Sequence, residues 1–358
     1  MSISQPIRYL PELESIEDDE IETVAGLKEQ FDVIMQKTAE DYGHAVRSVH
    51  AKAHGIIEAE MTVAGGLPPE LAQGMFSAPG TYKVFMRLST NAGDILPDAI
   101  SLPRGVAMKV LEVEGPRLSD AEGSTQDFIM VNGPIFQAPN AKKFLSGLKL
   151  LAKTTDRMEG TKTVMSSLLQ TMNKGLEAVG VASPTIQSLG GAPNSDPLGE
   201  TYFSVTPFRY GDYVAKFRLK PVSPDLTKRT DTIIDASVRD NAIRETVQAE
   251  MHETTGVWEF QVQLCRNINE QPIEDPTVEW KEKDSPFFTV ATVTAMPQDS
   301  WSDANVQKVD EEMRFSVWTG LAAHQPLGNI NRARKDPYRH SAEFRAQFNG
   351  CPFHEPSH

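Results

Sequence analysis

Between residues 48 and 63 the chain alternates in twos. Val49, Ala51, Ala53, Ile57, Ala59, Met61 and Val63 stand at odd positions, and Ser48, His50, Lys52, His54, Glu58, Glu60 and Thr62 at even ones; only Ile56 breaks the pattern. A helix would bring apolar residues round every three or four positions, so this period predicts a β-strand with one apolar face. The same period returns in "GTYKVFMRLS", "GVAMKVLEV" and "DFIMVN", up to about residue 131. It resumes between about 200 and 297 in "YFSVTPFRYGDYVAKFRLKP", "VWEFQVQLC" and "PFFTVATVTAM", with Gly- and Pro-containing turns between runs. Helical spacing governs three other stretches. One is acidic, about 14–41, with Ile21, Val24, Leu27, Phe31 and Ile34 on one stripe; one is rich in Leu and Met, about 140–180; and one is the Arg-rich tail from about 301 to 347. Strands on both sides of a helical block predict an α+β fold, an antiparallel β-barrel or sandwich with helices packed outside it. No internal repeat or linker-like segment interrupts the chain, so residues 1–358 are expected to form a single domain.

Composition narrows the partners. A net charge of −14 disfavours nucleic acid and anionic membranes and points to a small-molecule ligand. No run of 18 apolar residues suggests a membrane span, and the first twenty residues lack the basic and apolar regions of a signal peptide. Cys265 and Cys351 are the two cysteines, too few for a disulfide framework, so a cytoplasmic location is the expectation.

His50 and His54 lie four residues apart, which on a helix would place the rings about 6 Å apart along the axis, close enough to share a metal. On a strand the same interval is about 13 Å, whereas zinc–nitrogen bonds are roughly 2 Å. The alternation therefore argues against a shared metal and has both histidines facing solvent with Lys52 and Glu58.

Five segments, taken in order, resemble haem catalases. Arg47-x-x-His50-Ala51-Lys52 is similar to the distal segment that opens the first barrel strand of that family. "VFMRLSTNAGD" (84–94) resembles the segment in which an Arg is followed two residues later by a Ser, and "LPRGVAMKV" (102–110) the next strand. "VNGPIF" (131–136) resembles the segment of the distal Asn, and "INRARKDPYRHSAEFR" (330–345) the proximal haem segment. Their shared order across most of the chain carries the resemblance, since each motif alone is short.

The resemblance implies a catalase-like barrel holding haem b, with Tyr338 as axial iron ligand on a proximal helix at about 328–347. Arg-x-x-x-Tyr also occurs as Arg209…Tyr213, but in a strand-like run, which reads as structural. Arg334…Tyr338 lies in helical sequence, where i and i+4 share a face. A guanidinium one turn away favours a phenolate over a phenol whose reference pKa is about 10. The resemblance further assigns His50 as the distal proton shuttle, Ser89 as its hydrogen-bond acceptor and Asn132 as the group that orients peroxide. Phe136 and Phe144 would line the haem, and Arg47, Arg87 and Arg345 would engage its propionates.

The chain departs from the family at several positions. Catalases read roughly Gly-Asn-Asn-Thr-Pro-Ile-Phe-Phe where this chain reads Met-Val-Asn-Gly-Pro-Ile-Phe-Gln (130–137), so the distal Asn aligns with Val131, and Asn132 stands one place later. Ala53 replaces a Gly, and His54 has no counterpart. The chain continues for twenty residues after Tyr338, fewer than typical catalases, and on that ground resembles the short catalase-related peroxidases. The expected activity is therefore reduction of organic hydroperoxides or hydrogen peroxide with an external electron donor, on a chain that can associate as a homo-oligomer. Dismutation of hydrogen peroxide, isomerisation or cleavage of fatty-acid hydroperoxides, and non-enzymatic binding by the barrel are the alternatives.

Overall fold

The computed structural model describes residues 4–155, 192–353 and 355–356. Nine strands make up its sheet: β1 (Ala53–Val63), β2 (Thr81–Thr90), β3 (Arg104–Val110), β4 (Gln126–Val131), β5 (Tyr202–Phe203), β6 (Phe208–Tyr210), β7 (Tyr213–Pro221), β8 (Gly256–Leu264) and β9 (Phe287–Ala295). All pairings are antiparallel, in the order β5-β4-β3-β2-β1-β9-β8-β7-β6. A further pairing of β5 with β7 closes eight strands into a barrel, and β6 turns back on β7 as a hairpin. The expected antiparallel barrel with helices outside is the fold observed.

Aromatic side chains fill the barrel. Phe76, Phe128, Tyr210, Phe217, Phe260 and His324 are all buried at its centre, with the Phe128 and Phe260 rings 4.7 Å apart. Each buried phenyl ring contributes roughly 1.5–3 kcal/mol by leaving water. The interior is a packed core.

β1 departs from the alternation that predicted it. The strand begins at Ala53, and residues 48–50 form a bend in which His50 adopts a φ of +55°. Pairing with β2 shifts register between Ala53 and Gly55, a bulge that explains why Ile56 breaks the period. Beyond it, Ile57, Met61 and Val63 face the core and Glu58 faces solvent, as expected. Before it the reading fails. His54 is fully buried, its Nε2 bonded to Thr90 Oγ1 at 2.5 Å, and Lys52 is buried with its Nζ 2.7 Å from Asp98. Burial, then the charges of Arg104 and Lys52, holds His54 well below its ordinary pKa, so it is a neutral core residue and not a solvent-facing one. His50 is half-buried and faces cavities rather than open solvent.

Four helices matter for the site: α1 (Glu20–Tyr42), α2 (Ala141–Thr155), α3 (Ala242–Met251) and α4 (Asn329–Asn349). α1 falls in the acidic stretch read as helical, starting six residues after position 14; α4 falls in the Arg-rich tail and α2 in the Leu- and Met-rich block, of which residues 156–180 lie outside the described residues. α3 interrupts the second group of strands and was not foreseen. Leu27 of α1, Ala141 and Leu145 of α2, and Ile330 and Ala333 of α4 form one buried cluster beside the barrel. Arg332 of α4 fastens that cluster, reaching Glu14 at 2.6 Å, Glu20 at 2.7 Å and Glu274 at 3.1 Å. Among the described residues no helix is long and apolar enough to cross a membrane.

Candidate functional site

His50 stands where the chain bends into β1. Its left-handed backbone is unusual for a residue with a Cβ and costs on the order of 1–2 kcal/mol. Two bonds hold it there. Its N–H donates to the Asn91 carbonyl at 3.2 Å, and its own carbonyl accepts from Arg87 Nη1 at 2.9 Å. The bend points the ring at Ser89, whose Oγ lies 3.0 Å from Nδ1. With Ser89 accepting from Nδ1, the lone pair is left on Nε2, where a base needs it. Gly105 of β3 leaves room for the ring: a Cβ there would come within 2.5 Å of His50 Cε1.

Burial, followed by the charges of Arg87, Arg334 and Arg47, pushes the His50 pKa down to about 3. The imidazole is therefore neutral near pH 7 and able to accept a proton.

Three guanidinium groups converge beside it. Arg47 Nη1 lies 2.5 Å and Arg87 Nε 2.7 Å from Asp310 Oδ1, while Arg345 Nη2 donates to the backbone carbonyls of Asp310 and Glu311 at 2.7 and 3.0 Å. Asp310 belongs to a π-helical turn, Val306–Glu311, of the kind that recurs at functional positions. Burial alone would raise its pKa, but Arg87 and Arg47 outweigh that and bring it down to about 2. The Glu311 carboxylate is turned to His44, 2.8 Å away. Arg47 and Arg87 thus share one carboxylate, Arg345 rests on the backbone beside it, and all three border a cavity.

α4 supplies the opposite wall. Arg334 and Tyr338 sit one turn apart on it, with Arg334 Nη1 3.2 Å from Asn331 Oδ1. Two adjoining cavities separate α4 from the barrel rim. Arg47, His50, Arg87, Ser89, Tyr338 and Arg345 line one; His50, Asn132, Phe136, Phe144, Arg334 and Tyr338 line the other. All ten residues singled out from the sequence therefore meet around one slot, with His50 and Tyr338 bordering both of its halves. The Phe136 and Phe144 rings, 5.4 Å apart, form an apolar wall together with Leu27, Phe31 and Ile330. Arg209 and Tyr213 lie away from the slot: Tyr213 opens β7, and the Arg209 guanidinium stacks 5.0 Å from the Tyr9 ring.

Asn132 lines the slot, but its side chain is engaged elsewhere. Its Oδ1 accepts from the Arg104 N–H at 2.8 Å, and its amide bonds the Glu200 carboxylate. Val131 also borders the slot, one residue before it. Sequence reasoning missed Gly105, Asp310 and Asn91. A glycine inside a strand of larger residues signals close approach of another group and could have drawn attention to Gly105. Asp310 carries no local signal, because its partners come from distant segments. Among the described residues no group of three or more His, Cys, Asp or Glu side chains is arranged to hold a metal ion.

Compared by sequence, the chain matches no protein-family model and no curated protein. Compared by structure, it is similar to a fungal catalase, with a TM-score of 0.62 and 15% identity, covering 87% of this chain and 63% of that one. It is also similar to catalase A from Saccharomyces cerevisiae (TM-score 0.58, 13% identity, 97% and 67% covered) and to a bacterial catalase (0.60, 15%, 98% and 66%). The chain thus spans about two thirds of the length of these catalases, and its fold is catalase-like.

Proposed function

We propose that this chain is a haem b-dependent peroxidase that reduces organic hydroperoxides or hydrogen peroxide with electrons from an external donor. One observation carries the reading: Arg47, Arg87 and Arg345 converge on the same slot as Tyr338 and a neutral His50. The donor set fits the cofactor. Arg47 and Arg87 share the Asp310 carboxylate and Arg345 meets backbone carbonyls beside it, a cationic wall of the kind that engages the propionates of a haem. The wall of Phe136, Phe144 and Ile330 suits the faces of an apolar macrocycle.

When bound, haem supplies the iron at which a peroxide O–O bond is cleaved. The protein's own groups do the rest. Tyr338 would hold the iron through its phenol oxygen, with Arg334 one turn away on the same helix and bordering the same half of the slot. His50 takes the peroxide proton at Nε2 and can return it to the departing oxygen, while Ser89 fixes the tautomer that keeps Nε2 free. Phe136 and Phe144 give that half of the slot an apolar wall.

The test is reconstitution with haem, followed by absorption spectroscopy and turnover. The expected result is a Soret band and oxidation of a dye driven by an organic hydroperoxide. Oxygen release from hydrogen peroxide with negligible dye oxidation would favour a catalase, and rearranged fatty-acid hydroperoxide without reductant an isomerase or lyase. Protein that stays colourless overturns the reading.

A further inference from the structure

A base that withdraws a proton from a peroxide works best when a fixed donor holds the other peroxide oxygen, so that the substrate cannot rotate away. The amides near His50 differ in whether they are free to do this. Asn132 is committed on both sides, its oxygen to the Arg104 N–H at 2.8 Å and its nitrogen to the Glu200 carboxylate. Glu200 is itself fixed by Ser195, so this arrangement belongs to the scaffold around Arg104, whose guanidinium continues it to Asn194 at 2.7 Å.

Asn91 is placed differently. Its backbone alone ties it down, the N–H donating to the Pro103 carbonyl at 3.1 Å and the carbonyl accepting from the His50 N–H at 3.2 Å. The second bond locks Asn91 to the residue that carries the base. Asn91 also stands two residues after Ser89, the hydroxyl that meets the His50 ring. It is half-buried and borders the same cavity as His50 and Tyr338. Its side-chain amide has no hydrogen-bond partner within the described residues.

We propose that Asn91, rather than Asn132, supplies the amide N–H that holds the peroxide against His50. Asn91 is then a catalytic residue, because its amide touches the substrate, whereas Asn132 is a scaffold residue. The inference rests on the peroxidase reading above.

The experiment compares haem-loaded wild-type protein with Asn91→Ala, Asn91→Leu and Asn132→Ala. Leu keeps the size of Asn and removes the donor, so it separates loss of the bond from loss of packing. Two readouts are taken: the cyanide dissociation constant from the Soret shift, and kcat and KM for an organic hydroperoxide. A lost hydrogen bond weakens cyanide binding about three- to tenfold, and loss of a fixed donor lowers kcat/KM on the order of tenfold to a hundredfold. Both effects are expected in both Asn91 variants with the haem spectrum retained, whereas Asn132→Ala, which breaks the bonds to Arg104 and Glu200, should lower folding stability and leave the cyanide affinity of the haem-loaded fraction within about twofold. Unchanged cyanide affinity and turnover in the Asn91 variants, or a larger loss in Asn132→Ala, overturns the assignment. Absence of a Soret band in the wild-type protein is a separate failure, that of the peroxidase reading itself.

Discussion

Arg87 Nη1 donates to the backbone carbonyl of His50 at 2.9 Å while its Nε meets Asp310 at 2.7 Å. One guanidinium therefore fixes the left-handed bend that presents the imidazole and also contributes to the cationic side of the slot. Changes at either end are transmitted to the other through a single planar group.

Gly105→Ala should disturb His50 directly, since the new Cβ would fall 2.5 Å from the ring. The expected outcome is a fall in kcat/KM of about tenfold or more as the base moves from its position. Overpacking of this kind should cost about 1–3 kcal/mol of stability. Peroxide turnover and chemical denaturation, measured on the same preparation, check both numbers; wild-type turnover would show that the ring does not need that space.

Tyr338→Phe should abolish or greatly weaken haem retention, and Tyr213→Phe should not. Tyr338 borders the slot, whereas Tyr213 pairs with Tyr210 in the β6–β7 hairpin. Absorbance of the Soret band after gel filtration decides between them, and the opposite result would place the cofactor elsewhere.

Asp310 gives a stability effect with a definite sign. Its folded pKa, about 2, lies below the unfolded value of about 3.9 because Arg87 and Arg47 outweigh its burial. A carboxylate depressed in this way stabilises the fold above the unfolded pKa and loses that contribution as pH falls through 4 towards 2. The amount is ~2 kcal/mol at neutral pH. Urea unfolding of the Asp310→Asn protein should therefore show a lower plateau at pH 7 and a shallower decline between pH 4 and 2. An unchanged acid limb would show that the arginines do not act on this carboxyl.

The pH profile of turnover should be flat on its acid side down to about pH 5. Burial and the neighbouring arginines bring the His50 pKa to about 3, so the neutral base predominates above that value. Ser89→Ala should lower kcat by roughly tenfold, since the tautomer is no longer fixed. An acid limb near pH 6.5 that disappears in His50→Gln would place the His50 pKa at its ordinary value instead.

Much of the barrel was legible because its strands are half-buried, and half-burial writes a period of two into the sequence. The start of β1 was not. Val49 and Ala51 continue the alternation through a bend, and the period cannot distinguish a strand from a turn that happens to alternate. His54 was misplaced because the bulge between Ala53 and Gly55 changes which residues face inward, and a bulge leaves only one irregular residue, Ile56, as its trace. The ten slot residues could be named because motifs carry their order, yet Asp310 could not. Its partners Arg47 and Arg87 come from β1's approach and from β2, far away in the chain. Commitment of Asn132 to Arg104 and Glu200 is likewise a tertiary fact, invisible in "VNGPIF".

The three-carboxylate grip on Arg332 joins the first helix of the chain to the last. One wall of the slot is thus made by residues around 27–31 and another by residues 330–345, and neither exists as a wall without the other. Docking of α4 against α1 is therefore what gives the slot its two facing walls, so loosening the Arg332 contacts should open it without touching the barrel core.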